Sequence, residues 1–262
     1  MNALYSVILS PYACVPMLLI AAALEDELGA GMALCHDPKK IRGRSVTLWQ
    51  ATRASQTICF LKTGVGPRRS SANLAEALEV IKPSSILVIG YAGAIDPGLK
   101  LGSLVAVKKA LAFSLDKDQP DWDHIRLDAA FELVNCEALA LLAKSVNLDA
   151  CAGDTLTSSY VLGDPNHKRL LYEKFHASIV DMETAALADV ALSKTIPLSC
   201  VRVVSDEAQD TFLAPFSHDP STRVSARAKK LLDTGMMRTY REWKDHACTA
   251  KESLSLFLSH YL

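Results

Sequence analysis

The stretch VDMETAALADVALSKTIPLSCVRVVSDEA, residues 180–208, decides the fold class. Its first half sets small apolar residues at helical spacing behind the acids Asp181 and Glu183, which predicts a helix over residues 180–195. Its second half, from Pro197, is an apolar and β-branched run that stops at Ser205 and Asp206, which predicts a buried strand. A helix followed at once by a strand with no polar face is the signature of a sheet covered on both sides.

The same alternation recurs on the N-terminal side. Residues 17–22 read as a buried strand, and residues 24–34 as a helix that opens with acids. Residues 56–62 read as a strand, and residues 70–81 as a helix before Pro83. The run SSILVIGYAGAI (84–95) is β-branched and ends in glycines, and GSLVAVKKAL (102–111) is a further apolar strand. An acidic, irregular stretch fills residues 116–128, and helices follow over residues 136–146 and 166–175. The expected fold is α/β, a mainly parallel, twisted mixed sheet flanked by helices on both faces. No linker divides the chain, so one domain is expected over residues 17–234, with an N-terminal extension over 1–16 and a helical tail over 235–262.

Bulk properties narrow the function. With 262 residues, half of them hydrophobic, and a formal net charge of -1, the chain can bury a substantial core but carries no basic surface for a phosphate backbone. The expected partner is a small molecule and not a nucleic acid. Seven cysteines lie scattered without C-x-x-C spacing, which suits free thiols in a reducing compartment and predicts a cytoplasmic protein. The histidines form no metal-ligand pattern, so neither a metal nor another cofactor is expected. Residues 4–24 are almost uncharged, yet Pro11 and Pro16 interrupt them and no Lys or Arg precedes them, so no membrane span is expected.

In sheets of this kind ligands sit at the carboxyl ends of strands. Glu27, Glu183 and Asp206 all fall at such places. The segments LLIAAALEDEL (18–28), LKTGVGPRRSSANLAEAL (61–78), ILVIGYAGAIDPGLKLGSLVAV (86–107), IVDMETAALADVA (179–191) and CVRVVSDEA (200–208) follow the order and approximate spacing of the nucleoside phosphorylase and nucleosidase superfamily. Within it they most resemble the 5'-methylthioadenosine/S-adenosylhomocysteine nucleosidases, and the resemblance spans roughly residues 17–234.

The resemblance implies an N-glycosidase. Asp206 matches the acid that protonates a purine near N7, and Ser205 matches a residue that orients it. Glu183 matches the carboxylate that holds two ribose hydroxyls, with Met182 as the apolar wall and Asp181 beside them. Glu27 matches the base that activates water, although LEDEL also reads as a solvated acidic turn. Arg202 matches a residue near the nucleophile. An arginine inside an apolar strand needs an anionic partner, and Asp181 and Glu183 are the candidates for a structural ion pair. Ala92 and Gly93 match the backbone that approaches the base. Tyr91 departs from the pattern, since the nucleosidases usually hold a small hydroxyl residue there. In LTSSYVLGD (156–164), Val161 aligns with the residue that stacks on the base and Leu162 with a backbone contact, while Tyr160 and Phe212 are possible replacements.

The nucleophile is water or phosphate. Phosphorylases of the superfamily hold the anion with arginines at places that here read AALEDEL and VIGYAGA, so hydrolysis is favoured on Coulomb grounds. Arg68, Arg69 and Arg202 keep phosphorolysis as the alternative. A homodimer is implied by the resemblance alone, with residues 113–127, including Trp122, near the pocket for the 5' substituent. Futalosine, adenosylhopane, methylthioadenosine and adenosylhomocysteine all satisfy the residues named.

Overall fold

The computed structural model describes residues 16–115, 121–122, 124–211 and 234–262, the side chains of 234–245 excepted. The N-terminal extension up to residue 15, Phe212 and residues 116–120 of the acidic stretch lie outside the described residues.

The strands are β1 (Leu18–Ala22), β2 (His36–Arg42), β3 (Thr47–Arg53), β4 (Gln56–Lys62), β5 (Ser85–Ala94), β6 (Leu104–Phe113), β7 (Leu127–Glu132), β8 (Ala150–Thr157), β9 (Ile179–Asp181) and β10 (Leu198–Asp206). The helices are α1 (Glu25–Met32), α2 (Pro67–Val80), α3 (Cys136–Ser145), α4 (Pro165–Phe175), α5 (Thr184–Ser193) and α6 (Thr234–Tyr261). All ten strands among the described residues join one mixed sheet. Strands β4, β1, β5 and β10 are parallel neighbours. Strand β10 then pairs antiparallel with β6, which continues through β8 and β9 back to β5. The pairing β5–β10–β6–β8–β9 therefore closes on itself, and β4, β3 and β2 extend from β1 as an open wing.

Alternation along the central strands explains the burial on both faces. In β1, Leu19 and Ala21 join one core cluster while Leu18, Ile20 and Ala22 join the other. In β10, Cys200 and Val204 face the side covered by α5, and Val201 and Val203 the opposite side. Arg202 has the parity of Cys200 and Val204, so its side chain enters the α5 side of the sheet, where it is wholly buried.

The helix expected over residues 180–195 begins later than its pattern suggests. Val180 and Asp181 belong to β9, because their backbone pairs with β5 and β8, and Asp181 accepts the backbone N–H groups of Glu183 and Thr184 at 3.2 Å each. The acid caps the helix from outside it. Strand β1 occupies the end of the apolar stretch 4–24, and among the described residues no helix is long and apolar enough to cross a membrane. The described cysteines are free thiols.

Helix α6 packs against α1, α3 and β10. Its Ala250, Leu254, Phe257 and Leu258 are inaccessible to solvent and share a cluster with Ile20, Leu28 and Phe60. Truncating Phe257 to Ala is expected to cost about 3–5 kcal/mol of stability, read as a lower urea midpoint with an unchanged slope. A change under about 0.5 kcal/mol, the size typical of a surface position, would contradict this packing.

Candidate active site

A cavity of about 410 Å³ opens where β1, β5 and β10 end. Its wall brings together Glu27, Tyr91, Ala92, Gly93, Val161, Leu162, Asp181, Met182, Glu183, Ser205 and Asp206. All but one of the site residues proposed from the sequence line it, the exception being Arg202, which lies behind the wall. Ala23, Leu24, Val65, Val180 and Ala247 complete the lining together with Tyr160.

Glu27 stands apart from the two acids that precede it. Glu25 and Asp26 face solvent, paired with Lys62 and Lys251, whereas Glu27 is buried in the first turn of α1. Its Oε2 accepts the N–H of Leu24 at 2.7 Å and its Oε1 the N–H of Tyr91 at 3.0 Å, so a helix start and a strand end fix the carboxylate from two sides. Burial pushes its carboxyl above the usual range, opposed by the positive charge of Arg202. Gly90 makes this approach possible. A Cβ there would lie 2.5 Å from Arg202 Nη1 and 2.7 Å from Glu27 Oε1, closer than any side chain tolerates.

Arg202 is the hub of the end of the cavity that holds Glu27 and Glu183. Its Nε lies 3.2 Å from Asp181 Oδ2, and its Nη2 lies 3.4 Å from Glu183 Oε2. It also donates to Thr184 Oγ1, at 3.2 Å from Nε and 2.9 Å from Nη2, and from Nη1 to the carbonyl of Tyr91 at 3.4 Å. Burial opposes the guanidinium charge, and the carboxylates of Asp181, Glu183 and Glu27 outweigh it and keep the group charged. Arg202 thus pairs with both carboxylates that its place in an apolar strand called for.

The two acids it holds have different surroundings. Both oxygens of Asp181 are engaged inside the protein: Oδ1 by Thr157 Oγ1 at 2.8 Å and by the helix cap, Oδ2 by Thr155 Oγ1 at 3.2 Å, Thr184 Oγ1 and Arg202. Asp181 organises the wall and offers no free oxygen to the cavity. Glu183 accepts the N–H of Gly66 at Oε1 (2.9 Å) and Arg202 Nη2 at Oε2 (3.4 Å), fewer partners than Asp181 has, and it lines the cavity. Burial pushes its carboxyl up to about 7, against the downward pull of Arg202.

The opposite end is built by an irregularity in β10. The pairing of β10 with β5 shifts register between Val204 and Asp206, leaving Ser205 as the extra residue. Ser205 Oγ then lies 3.3 Å from the carbonyl of Ala92 and donates to Asp206 Oδ1 at 3.0 Å. Gly93 is what lets the carboxylate lie flat on β5, since a Cβ there would meet Asp206 Oδ2 at 2.7 Å. Glu27 contacts β5 at Gly90 and Asp206 contacts it at Gly93, a spacing of about 10 Å at the rise of an extended strand.

Lys168, which sequence reasoning missed, closes this end from behind. It is wholly buried in α4, with Nζ 2.5 Å from Asp206 Oδ2 and 2.8 Å from the carbonyl of Glu207. Nothing in PNHKRLL marks Lys168 off from an ordinary helical lysine. Thr184, Thr155 and Thr157 were also unforeseen, because hydroxyls that serve a buried carboxylate carry no spacing of their own. Tyr91 sends its hydroxyl toward Asp26 Oδ2, 3.5 Å away, beside the Lys251 pair of α6. Leu162 is buried and Val161 exposed at the rim, and Tyr160, just before them in sequence, is half-buried. Trp122 does not line the cavity in the single chain; its ring stacks on His167 with centroids 3.7 Å apart.

Comparison with known proteins places this geometry in a family. Residues 18–234 match the model of the phosphorylase superfamily. The structure is similar to that of 5'-methylthioadenosine/S-adenosylhomocysteine nucleosidase from Neisseria meningitidis in complex with methylthio-immucillin-A, with a TM-score of 0.70, 16% identity, and 93% of this chain and 97% of that one covered. It is also similar to futalosine hydrolase of Helicobacter pylori, with a TM-score of 0.68, 19% identity, and 93% and 97% covered. The 5'-methylthioadenosine/S-adenosylhomocysteine nucleosidase of Campylobacter jejuni gives a TM-score of 0.65 at 21% identity, with 91% and 98% covered. With its matched segment running from β1 to the start of α6, the chain belongs to the phosphorylase superfamily.

Proposed function

We propose that the protein is a nucleosidase that hydrolyses the N-glycosidic bond of a purine nucleoside, with water as the nucleophile. The observation that carries this reading is the charge of the cavity wall. It holds Glu27, Asp181, Glu183 and Asp206, and no Lys, Arg or His among the described lining residues. A phosphate dianion entering there would meet carboxylates, whereas the positive charge that develops on a ribose losing its base would be stabilised by them. Arg202 does not change the balance, because its donors are engaged by Asp181, Glu183, Thr184 and Tyr91. Arg68 and Arg69 are exposed on α2 and do not line the cavity. The nucleosidases and the futalosine hydrolase among the similar structures support the same reading.

Roles follow from position. Glu27, buried and with its carboxyl raised, takes a proton from the attacking water. Glu183 accepts hydrogen bonds from the ribose hydroxyls, and Met182 lies against the sugar. Asp206, steadied by Ser205, serves the purine at N7, with Gly93 and Ala92 beneath the base and Val161, Leu162 and Tyr160 around it. Tyr91 takes the place next to the water, where its bulk narrows the nucleophile side. A 5'-modified nucleoside fits the apolar remainder of the wall, and a second copy of the chain would complete that end.

Incubated with purine nucleosides, including 5'-thio derivatives, the protein is expected to release base and free ribose at a rate independent of phosphate. Release of a sugar 1-phosphate only when phosphate is present would overturn the reading. Glu27→Gln is expected to lower kcat by about 10²–10⁴-fold in the same chromatographic assay. A carboxylate holds hydroxyls best when ionised, and the free enzyme keeps Glu183 protonated below about 7. Accordingly kcat/KM should rise with pH up to about 7, and Glu183→Gln should raise KM and remove the contribution of Glu183 to that limb, leaving the part set by ionisation of Glu27.

A further inference from the structure

We propose that Lys168 supplies, through Asp206, the proton that the departing purine takes up. This rests on the nucleosidase reading above and assigns the origin of a proton which that reading leaves open.

Lys168 is fully buried, and its ammonium reaches Asp206 Oδ2 at 2.5 Å and the Glu207 carbonyl at 2.8 Å. Asp206 alone faces the cavity; Lys168 is absent from the lining and acts only through it. An ammonium in contact with a carboxylate makes the pair a salt bridge in the empty enzyme, so Asp206 by itself has no proton for N7. A purine leaving with the electrons of its glycosidic bond needs one. The pair as a whole holds that proton on Nζ, one hydrogen bond from Oδ2. Ser205 holds Oδ1 from the other side, and the Gly93 backbone leaves room for the carboxylate to lie flat.

As the bond between the anomeric carbon and the base nitrogen breaks, its electron pair goes to the base. A proton passes from Nζ to the Asp206 carboxylate and from that carboxyl group to N7, which leaves a neutral amine, a carboxylate and a neutral purine. Water adds to the anomeric carbon and gives its proton to Glu27. When the products leave, Glu27 loses that proton to solvent and Lys168 regains one through Asp206, whose side chain is 17% exposed. A lysine can perform this transfer, whereas a guanidinium would anchor Asp206 equally well and keep its protons. Lys168 is therefore a positioning residue that also stores the proton, and it is distinguishable from an anchor alone.

The test compares leaving groups. A purine nucleoside needs protonation on departure, and p-nitrophenyl β-D-riboside releases a stabilised phenolate that does not. With the full-length protein, Lys168→Met is expected to lower kcat on the nucleoside by about 100-fold or more with little change in KM, and to slow the phenyl riboside far less. Lys168→Arg, which restores the cation, should remain as slow on the nucleoside as Lys168→Met. It also serves as the second variant if Lys168→Met shows no cooperative thermal transition. Equal slowing of both substrates in Lys168→Met, or near wild-type nucleoside turnover in Lys168→Arg, would overturn the proposal while leaving the nucleosidase reading standing. Wild-type protein that cleaves neither substrate would overturn both.

Discussion

A single buried cation holds the Glu27 and Glu183 end of the cavity together. Arg202 rises from the middle of an apolar strand into a space closed by α5 and β5, and its charge is tolerable there only because Asp181 and Glu183 contact it and Glu27 lies close. The dependence is mutual. Without the guanidinium these buried carboxylates would repel one another, and the wall of the cavity could not hold them at such density. Gly90 is the steric condition for this grouping, since any side chain there would displace either Arg202 or Glu27.

The acids of the cavity fall into distinct environments, which is how one residue type performs different tasks. Asp181 is saturated by hydroxyls, a helix cap and the guanidinium, and works as scaffold. Glu27 and Glu183 are buried with fewer partners, and their carboxyls titrate above the ordinary range. Asp206 belongs to a separate group, placed by the β10 bulge and backed by Lys168. Among the described residues the charge arrangement thus has two cations, Arg202 and Lys168, each behind carboxylates and neither lining the cavity.

Rigidity comes from the packing behind these groups. The closed pairing of β5, β10, β6, β8 and β9 fixes the strand ends relative to one another, and α6 fills the far face with Leu254, Phe257 and Leu258. Helix α6 also reaches the cavity through Ala247 and ties down the first turn of α1 through the Lys251–Asp26 pair. The C-terminal helix is in this way part of both core and site.

Much of this was legible in the chain. The alternation of helix and strand, the identity of the central strands and the placement of Glu27, Glu183 and Asp206 at strand ends all follow from hydrophobic periodicity, which is a local property. Strands β2, β3, β7, β8 and β9 escaped notice for a physical reason: β2 reads HDPKKIR and is an exposed edge, while β9 has three residues and exists only through its pairing with β5 and β8. The resemblance marked which acids share a cavity, and the tertiary structure decided how each is held. The contact of Lys168 with Asp206 joins residues 38 apart, and that of Arg202 with Glu183 joins residues 19 apart on different elements. The lysine pairing has no local signal, because a lysine is committed to a partner only when the fold removes water from around both, whereas the need of Arg202 for Asp181 or Glu183 was readable from its place in an apolar strand.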